Sequence, residues 1–305
     1  MIMSKQIEVI EVGPRDGFQS VKCTPPIPTE IKLDVIDRLV AAGVKHIEYT
    51  SFVSPKAIPQ LADAKAVTEV VLKKYPDLDL FALVPNLRGA QNAYELGLRK
   101  VCYVVSLSTS HNKANINRTH EQSLEAYKEI RAAYPDMNIV VDLATTFGCP
   151  FEGKYNDSQA VVNFLKDYAD AGMTTCCLCD TIGIADPAQV KSVIGELKAS
   201  YPNLQLQVHF HDTRGLGMVN TMAAIESGVT EVQSALGGLG GCPFAPGASG
   251  NLSTEDMVWM LNEMGFKTGV SFSKVLEAAK FQAIHIPGNY SGHHIHIEQE
   301  SPCKF

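Results

Sequence analysis

Two stretches decide the fold, Thr174-Thr-Cys-Cys-Leu-Cys-Asp180 and Gln205-Leu-Gln-Val-His-Phe-His211. Each is a short strand-like run that closes on polar residues. Pro187–Ser200, between them, has the apolar spacing of an amphipathic helix. A strand, a helix and a second strand in this order imply parallel strands joined by a helical crossover. Reading outward, further candidate strands are Ile7–Val12, His46–Thr50, Leu78–Val84, Lys100–Leu107, Asn138–Thr145 and Glu231–Leu236. Helix-like segments include Thr29–Ala42, Thr119–Ala133, Ser158–Ala171 and Gly217–Ser227. Thr29 is the expected cap of the first, with Glu30 in its opening turn, and Gly43, Gly97, Gly172 and Gly228 fall just past helix ends.

Eight strand–helix units point to a closed (β/α)8 TIM barrel, with an open doubly wound sheet as the competitor. No Gly-x-Gly-x-x-Gly follows the first strand, which weighs against the dinucleotide-binding form of that competitor. A barrel takes about 250 residues, and the chain has 305. Thr254–Glu263 reads as the last barrel helix, followed from Thr268 by a further helix and an irregular tail. No linker rich in Pro, Gly or Ser divides the chain, so we expect a barrel over residues 1–267 and a helical extension and tail over 268–305.

Composition narrows the function classes. Hydrophobic residues make up 45% and charged residues 19%, with 26 basic against 33 acidic side chains and a net charge of −7. Such a balance, with no long basic run, excludes nucleic acid or an acidic membrane as the main partner, while a local phosphate pocket remains open. There is no apolar run of the roughly 18 residues a membrane span needs. Neither a secretion signal nor an Arg-rich transit segment is recognisable at Met1–Glu8. Eight cysteines are too sparse for a disulfide scaffold, so reduced thiols and a cytoplasmic location are expected. A homodimer is the expected assembly on the base rate of soluble oligomers.

In a barrel, chemistry gathers at the C-terminal ends of the strands, and unusual polar residues recur there. The first strand leads into Gly13-Pro-Arg15-Asp16-Gly-Phe-Gln19, the second carries Glu48, the sixth ends at Asp180 and the seventh at His209-Phe-His211; the eighth leads into Gly237-Gly-Leu-Gly-Gly-Cys242. His209 and His211, two apart on a strand, project from one face. A lone strand histidine is usually a satisfied core residue, but two on one face with Asp16 nearby favour a metal site. Imidazole and carboxylate without thiolate suit Mg2+ or Mn2+ and leave Zn2+ possible. Arg15 fits an oxyanion holder or a structural partner of Glu48 or Asp180, and both readings stand. The loop bearing Cys242 is a phosphate cradle, a mobile lid or a tight turn. Cys176, Cys177 and Cys179 read as small hydrophobes in a strand core, and His293, His294 and His296 as a solvated tail.

With these residues together, the chain resembles the 3-hydroxy-3-methylglutaryl-CoA lyases, within the wider group of metal-dependent TIM-barrel lyases and synthases acting on acyl-CoA. The resemblance runs from about Ile7 to Leu276. It rests on Val12-Gly-Pro-Arg-Asp-Gly-Phe-Gln19, Ile47-Glu-Tyr-Thr-Ser-Phe-Val-Ser-Pro-Lys56, Gly148-Cys-Pro-Phe-Glu-Gly153, Asp180-Thr-Ile-Gly183, His209-Phe-His-Asp-Thr213 and Gly238 through the Cys242 loop to Asn251. The resemblance implies a divalent ion, Mg2+ or Mn2+, held by Asp16, His209, His211 and Asn251, with Glu48 supporting it. It implies retro-Claisen cleavage of the C2–C3 bond, giving acetyl-CoA and acetoacetate. Asp180 would be the base for the C3 hydroxyl, Arg15 would hold the enolate oxygen, and Cys242 would return the proton. Lys22 would contact a CoA phosphate or stand solvated.

Departures from the family pattern fall near the acyl pocket. Ala57 stands where Trp is common, and Gln233-Ser-Ala-Leu-Gly237 replaces Asp-Ser-Ser-Val-Ala. A related branched 3-hydroxyacyl-CoA is therefore the alternative substrate, and a Claisen synthase the rival class, although the Cys242 loop would have no purpose there. Cys303, near the chain end, is expected to be an exposed thiol able to cross-link subunits, and the ending Cys303-Lys-Phe305 is a poor peroxisomal address.

Overall fold

The structure is a computed structural model that describes residues 5–241 and 250–297. Cys242 and Cys303 lie outside the described residues. Eight parallel strands close into a barrel: β1 (Glu8–Glu11), β2 (His46–Ser51), β3 (Asp79–Leu83), β4 (Lys100–Ser106), β5 (Asn138–Ala144), β6 (Thr175–Asp180), β7 (Gln205–Phe210) and β8 (Glu231–Ser234). Closure is made by β1 on β8, in register from Glu8↔Glu231 to Glu11↔Ser234. The expected strands are all present, seven of them trimmed by a residue or two at their ends and β2 longer by Ser51.

The helices expected from periodicity are α1 (Thr29–Ala41), α5 (His120–Ala133), α6 (Ser158–Asp170), α7 (Pro187–Ser200), α8 (Gly217–Glu226) and α9 (Thr254–Glu263). Three others complete the crossovers: α2 (Ala64–Lys74), α3 (Leu87–Glu95) and α4 (Thr109–Ile116). Thr29 is not the cap expected of it. Pro28 precedes the helix without a side-chain cap, and the Thr29 hydroxyl instead donates to Asp63 Oδ2 at 2.6 Å. Gly43, Gly97, Gly172 and Gly228 do end helices, with φ from 88 to 99°. No helix among the described residues is long and apolar enough to cross a membrane.

Strand alternation builds two apolar layers. Outward side chains such as Val9, Ile47, Val141, Leu178 and Val208 pack under the helices, while Ile10, Val12, Phe81, Cys102, Val140, Cys177 and Ala235 fill the barrel. Cys176 faces the helices and Cys177 the interior, as small hydrophobes. After the barrel, α10 (Phe272–His285) lays Val275, Ala278 and Ala279 against it, all fully buried. The tail that follows is docked through His294, which is bonded to Asp256 with its side chain 15% exposed, whereas His293 and His296 are exposed as expected.

One buried carboxylate ties the ends of the barrel's first and last strands to α9. Glu11 Oε1 accepts from the amides of Gly13 and Leu236, both at 2.8 Å, and Oε2 accepts from Thr254 Oγ1 at 2.7 Å. Burial pushes Glu11 up to about 7 against these three donors. A folded pKa above the unfolded value means that the folded state binds the extra proton. The stabilisation is therefore full below about 4.5 and lost as pH rises towards 7. We expect Glu11→Gln to fold and to flatten the pH dependence of the thermal midpoint in that window. Glu11→Leu, which strands two buried amides, should cost about 3 kcal/mol. Thermal denaturation from pH 4.5 to 8 checks both; equal midpoints for the two variants would refute the assignment.

Candidate active site

Of the residues singled out at the strand ends, Arg15, Asp16, Gln19, His209 and His211 line one cavity of about 280 Å³ at the C-terminal mouth of the barrel. Gly13–Gly17, directly after β1, forms a single turn of π-helix that carries Arg15 and Asp16 inward. Gly13 is required there, since a Cβ would stand 2.5 Å from Glu11 Oε1. On β2 the register shifts between Glu48 and Thr50, and Glu48 points into the barrel, fully buried.

Arg15 is held between two carboxylates. Its Nε and one terminal nitrogen donate to Glu48 Oε1 and Oε2 at 2.6 and 2.8 Å, and the other terminal nitrogen donates to Asp16 Oδ1 at 2.7 Å. Burial acts against the guanidinium charge, but Glu48 and Asp16 outweigh it and keep Arg15 well above its usual pKa. Burial likewise acts to raise Asp16; Arg15, His209 and His211 outweigh it and hold that carboxyl at about 2. The structural pairing with Glu48 is thus present, and the remaining hydrogens of the same side chain stay beside the cavity it lines.

Asp16, His209 and His211 each present a ligand atom within 4.8 Å of the others. The two imidazole rings lie edge to face, 5.1 Å between centroids. His209 Nδ1 meets Gln233 Oε1 at 3.1 Å, which fixes the ring and leaves Nε2 for the cavity. Burial first, then the neighbouring His211, pulls His209 down to about 4, and burial lowers His211 as well. Both rings are therefore neutral at pH 7, the state a metal ligand requires.

Asn251 completes the group by an unexpected route. It follows residues 242–249 and is bridged antiparallel to His211, beyond the end of β7. Its Nδ2 donates to Asp16 Oδ2 at 2.8 Å and to the Leu239 carbonyl at 3.0 Å. Asn251 Oδ1 and His211 Nδ1 are buried with no hydrogen-bond partner among the described residues. Two orphaned acceptors beside an ionised carboxylate, with imidazole and amide donors and no thiolate, fit a divalent cation.

A second cluster, Glu48, Cys102 and Asp142, also brings three ligand atoms together. It does not fit a cation, because both Glu48 oxygens already accept from Arg15. Cys102 Sγ donates to Glu48 Oε1 at 2.9 Å. Burial, then the charge of Glu48, raises Asp142 to about 7, and this carboxyl faces the cavity. Neither Cys102 nor Asp142 was singled out in the sequence, although a lone acid inside the apolar run Asn138–Thr145 is a legible signal.

Other candidates stand further from the centre. Asp180 is fully buried, its oxygens accepting the Ile184 and Ala185 amides at 2.9 and 3.0 Å, and burial raises its pKa against them. Its neighbours Cys179 and Thr181 line the cavity. Lys22 is exposed on the segment after β1. Ala57 is exposed too, while Val53 and Ile58 on either side line the cavity.

A closed (β/α)8 barrel with carboxylate, imidazole and amide donors converging beside a buried arginine is the arrangement of a metal-dependent TIM-barrel enzyme. Comparison with known proteins narrows this class. The HMGL-like family profile matches residues 6–281. The hydroxymethylglutaryl-CoA lyase YngG of Bacillus subtilis is 42% identical over 279 residues, covering 91% of this chain and 92% of that protein. The mitochondrial human hydroxymethylglutaryl-CoA lyase is 40% identical over 92% of this chain and 85% of its own. The crystal structure of the Bacillus subtilis HMG-CoA lyase superposes with a TM-score of 0.90 at 40% identity, covering 97% of this chain and 98% of that one. An Acinetobacter baumannii HMG-CoA lyase, solved in complex with coenzyme A and 3-methylmalate, gives 0.90 at 38% identity, covering 99% and 98%. The chain belongs to the HMGL-like family, and it is a carbon–carbon lyase.

The buried ion pair gives a direct test. Arg15→Met should strand Glu48 and destabilise the fold by about 3–5 kcal/mol. Arg15→Met/Glu48→Leu should recover much of that loss while remaining inactive. Denaturation of the two variants checks this, and a double variant as unstable as the single one would contradict it.

Proposed function

We propose that the chain cleaves 3-hydroxy-3-methylglutaryl-CoA to acetyl-CoA and acetoacetate with the help of Mg2+ or Mn2+. The observation that carries the reading is the convergence of Asp16, His209 and His211 on the cavity that Arg15 also lines, with Asn251 bonded to Asp16 and two acceptors left orphaned on Asn251 and His211. The relatives' names and the coenzyme A complex of the Acinetobacter enzyme support the acyl-CoA substrate.

A divalent ion bound by these four residues would supply the charge that makes ionisation of the C3 hydroxyl accessible near neutrality. Asp180, raised by burial, is the assigned acceptor of that proton. Because its carboxylate lies behind the wall formed by Cys179 and Thr181, the transfer runs through an intervening water or imidazole. As the C2–C3 bond breaks, the alkoxide electrons form the ketone of acetoacetate and the bond pair moves onto the thioester as an enolate. Arg15, already oriented by Glu48 and Asp16, stabilises the enolate oxygen with its remaining N–H groups. Cys242, on its glycine-rich segment, protonates C2 to give acetyl-CoA. Glu48 supports the site through Arg15, and Lys22 is the assigned contact for a CoA phosphate. The apolar walls, with Leu83, Val104 and Ala144, would exclude water from the carbanion.

The test is metal-dependent acetoacetate release from 3-hydroxy-3-methylglutaryl-CoA, run beside other branched 3-hydroxyacyl-CoA thioesters and in chelator. Turnover should vanish in chelator and return with Mn2+ or Mg2+. Cys242→Ser should lower kcat by about 10²–10⁴-fold with substrate binding retained. Turnover confined to another thioester would move the substrate assignment and keep the reaction. Chelator-insensitive cleavage would end the metal reading.

A further inference from the structure

The histidine-bearing tail is the feature that the reaction leaves unused, and it is docked against the backbone that holds Asn251. Its contacts fall on both sides of that residue. On one side is the turn Leu236–Gly238, directly after β8. Gly292 N donates to the Gly237 carbonyl at 3.0 Å, and Ser291 Oγ donates to the Gly238 carbonyl at 3.3 Å. The Tyr290 ring packs on the turn, so that a Cβ at Gly237 would stand 2.6 Å from Tyr290 Cδ1; Gly237 has φ of 68° and tolerates both demands only as glycine. The ring is fixed in turn by its hydroxyl, which donates to the carbonyls of Ile286 and Gln282 at 2.8 and 3.2 Å.

On the other side is the first turn of α9. Asp256 accepts from the His293 amide at 2.6 Å and the His294 amide at 3.0 Å, and both imidazoles lie on the same carboxylate. The tail therefore staples 236–238 to 253–256, and Asn251 sits between these anchors. The staple's first anchor leads directly to the ligand: Leu239, next in the chain, gives its carbonyl to Asn251 Nδ2. Gly240 is packed so closely on the amide that a Cβ there would approach Nδ2 to 2.6 Å.

We propose that Ile286–Ile297 is a strap that positions Asn251 for the cation, with Tyr290 and the His293–His294 clasp on Asp256 as its positioning residues. Asp16, His209 and His211 are placed by β1 and β7 and do not need the strap. Asn251 stands beyond the barrel strands: its backbone is bridged to His211, with Asp212 N donating to the Gly250 carbonyl at 2.8 Å and Leu252 N to the Phe210 carbonyl at 3.3 Å, and the strap joins the turns on either side of that bridge. This inference rests on the metal reading of the site for its consequence, though not for its mechanics.

The test uses the full-length protein in three forms: Tyr290→Ala, Tyr290→Phe and His293→Ala/His294→Ala. Mn2+ affinity is measured by electron paramagnetic resonance of the free ion, and amide hydrogen exchange is followed over 236–241 and 250–252. Loss of an outer-shell support typically weakens metal binding about 10–100-fold. We expect Tyr290→Ala to lose roughly tenfold and to exchange faster in both segments. Tyr290→Phe, which keeps the ring but loses the hydroxyl that anchors it, should fall between wild type and Tyr290→Ala, and the double histidine variant should shift in the same direction as Tyr290→Ala. Wild-type affinity and exchange in Tyr290→Ala would overturn the strap. If Tyr290→Ala fails to fold, the double histidine variant decides by the same readouts. Should the wild-type protein bind no Mn2+, the metal reading falls; exchange then still decides the strap, with unchanged protection in the variants refuting it.

Discussion

Everything at the barrel mouth depends on a buried guanidinium held between two carboxylates. Arg15 takes both oxygens of Glu48 and one of Asp16. A charge sum over the buried groups shows what that does. Glu48 and Asp16 contribute two negative charges and Arg15 one positive. His209 is held neutral, and Asp142 is pushed up to about 7, so it carries only part of a charge at neutrality. With the part charge of Asp142, the cluster retains between one and two uncompensated negative charges in a low-dielectric setting, which is costly unless they are paired. A divalent cation held there would change the sign of the site, and the cavity would then favour the alkoxide and enolate oxygens of the proposed cleavage. Without Arg15 the two carboxylates would repel each other and Asp16 would rise in pKa, losing its value as a ligand.

Much of this was legible because a barrel sends every strand's C-terminal end to the same place. Asp16, Glu48, His209 and His211 are readable as a group from strand position alone. The period of two along β7 correctly put both histidines on one face, and Gln233 on the next strand falls beside His209 through ordinary parallel register. Asn251 is different. Nothing in its local pattern places it in the site, and only the resemblance to a family nominated it. Its position is set by an antiparallel bridge to His211 and by contacts with Leu239, and such long-range pairing leaves no periodic trace.

The tail was misjudged for a related physical reason. His293-His-Ile-His296 is polar and short, and polar segments after a last helix are usually solvated. Here one buried carboxylate, Asp256, offers two oxygens to two successive amides, and Tyr290 packs against a turn that only glycine leaves room for. Neither partner is visible from the tail's own composition. The same limit applies to Cys102, which looks like a core position until the barrel closes and brings it to Glu48, whereas Asp142 stands out as the lone acid of its strand.

These placements divide the site into parts of different stiffness. Three ligand side chains stand on or directly beside barrel strands, whose hydrogen bonds and packed layers resist local opening. The fourth stands on a segment held by a staple from the chain's far end. Under the metal reading, three donors would be set by the barrel itself and the fourth by its bridge to His211 and the turns that the tail joins. In sequence Asn251 lies nine residues after Cys242, so the residues assigned to the cation and to the return of the proton belong to one connection between β8 and α9.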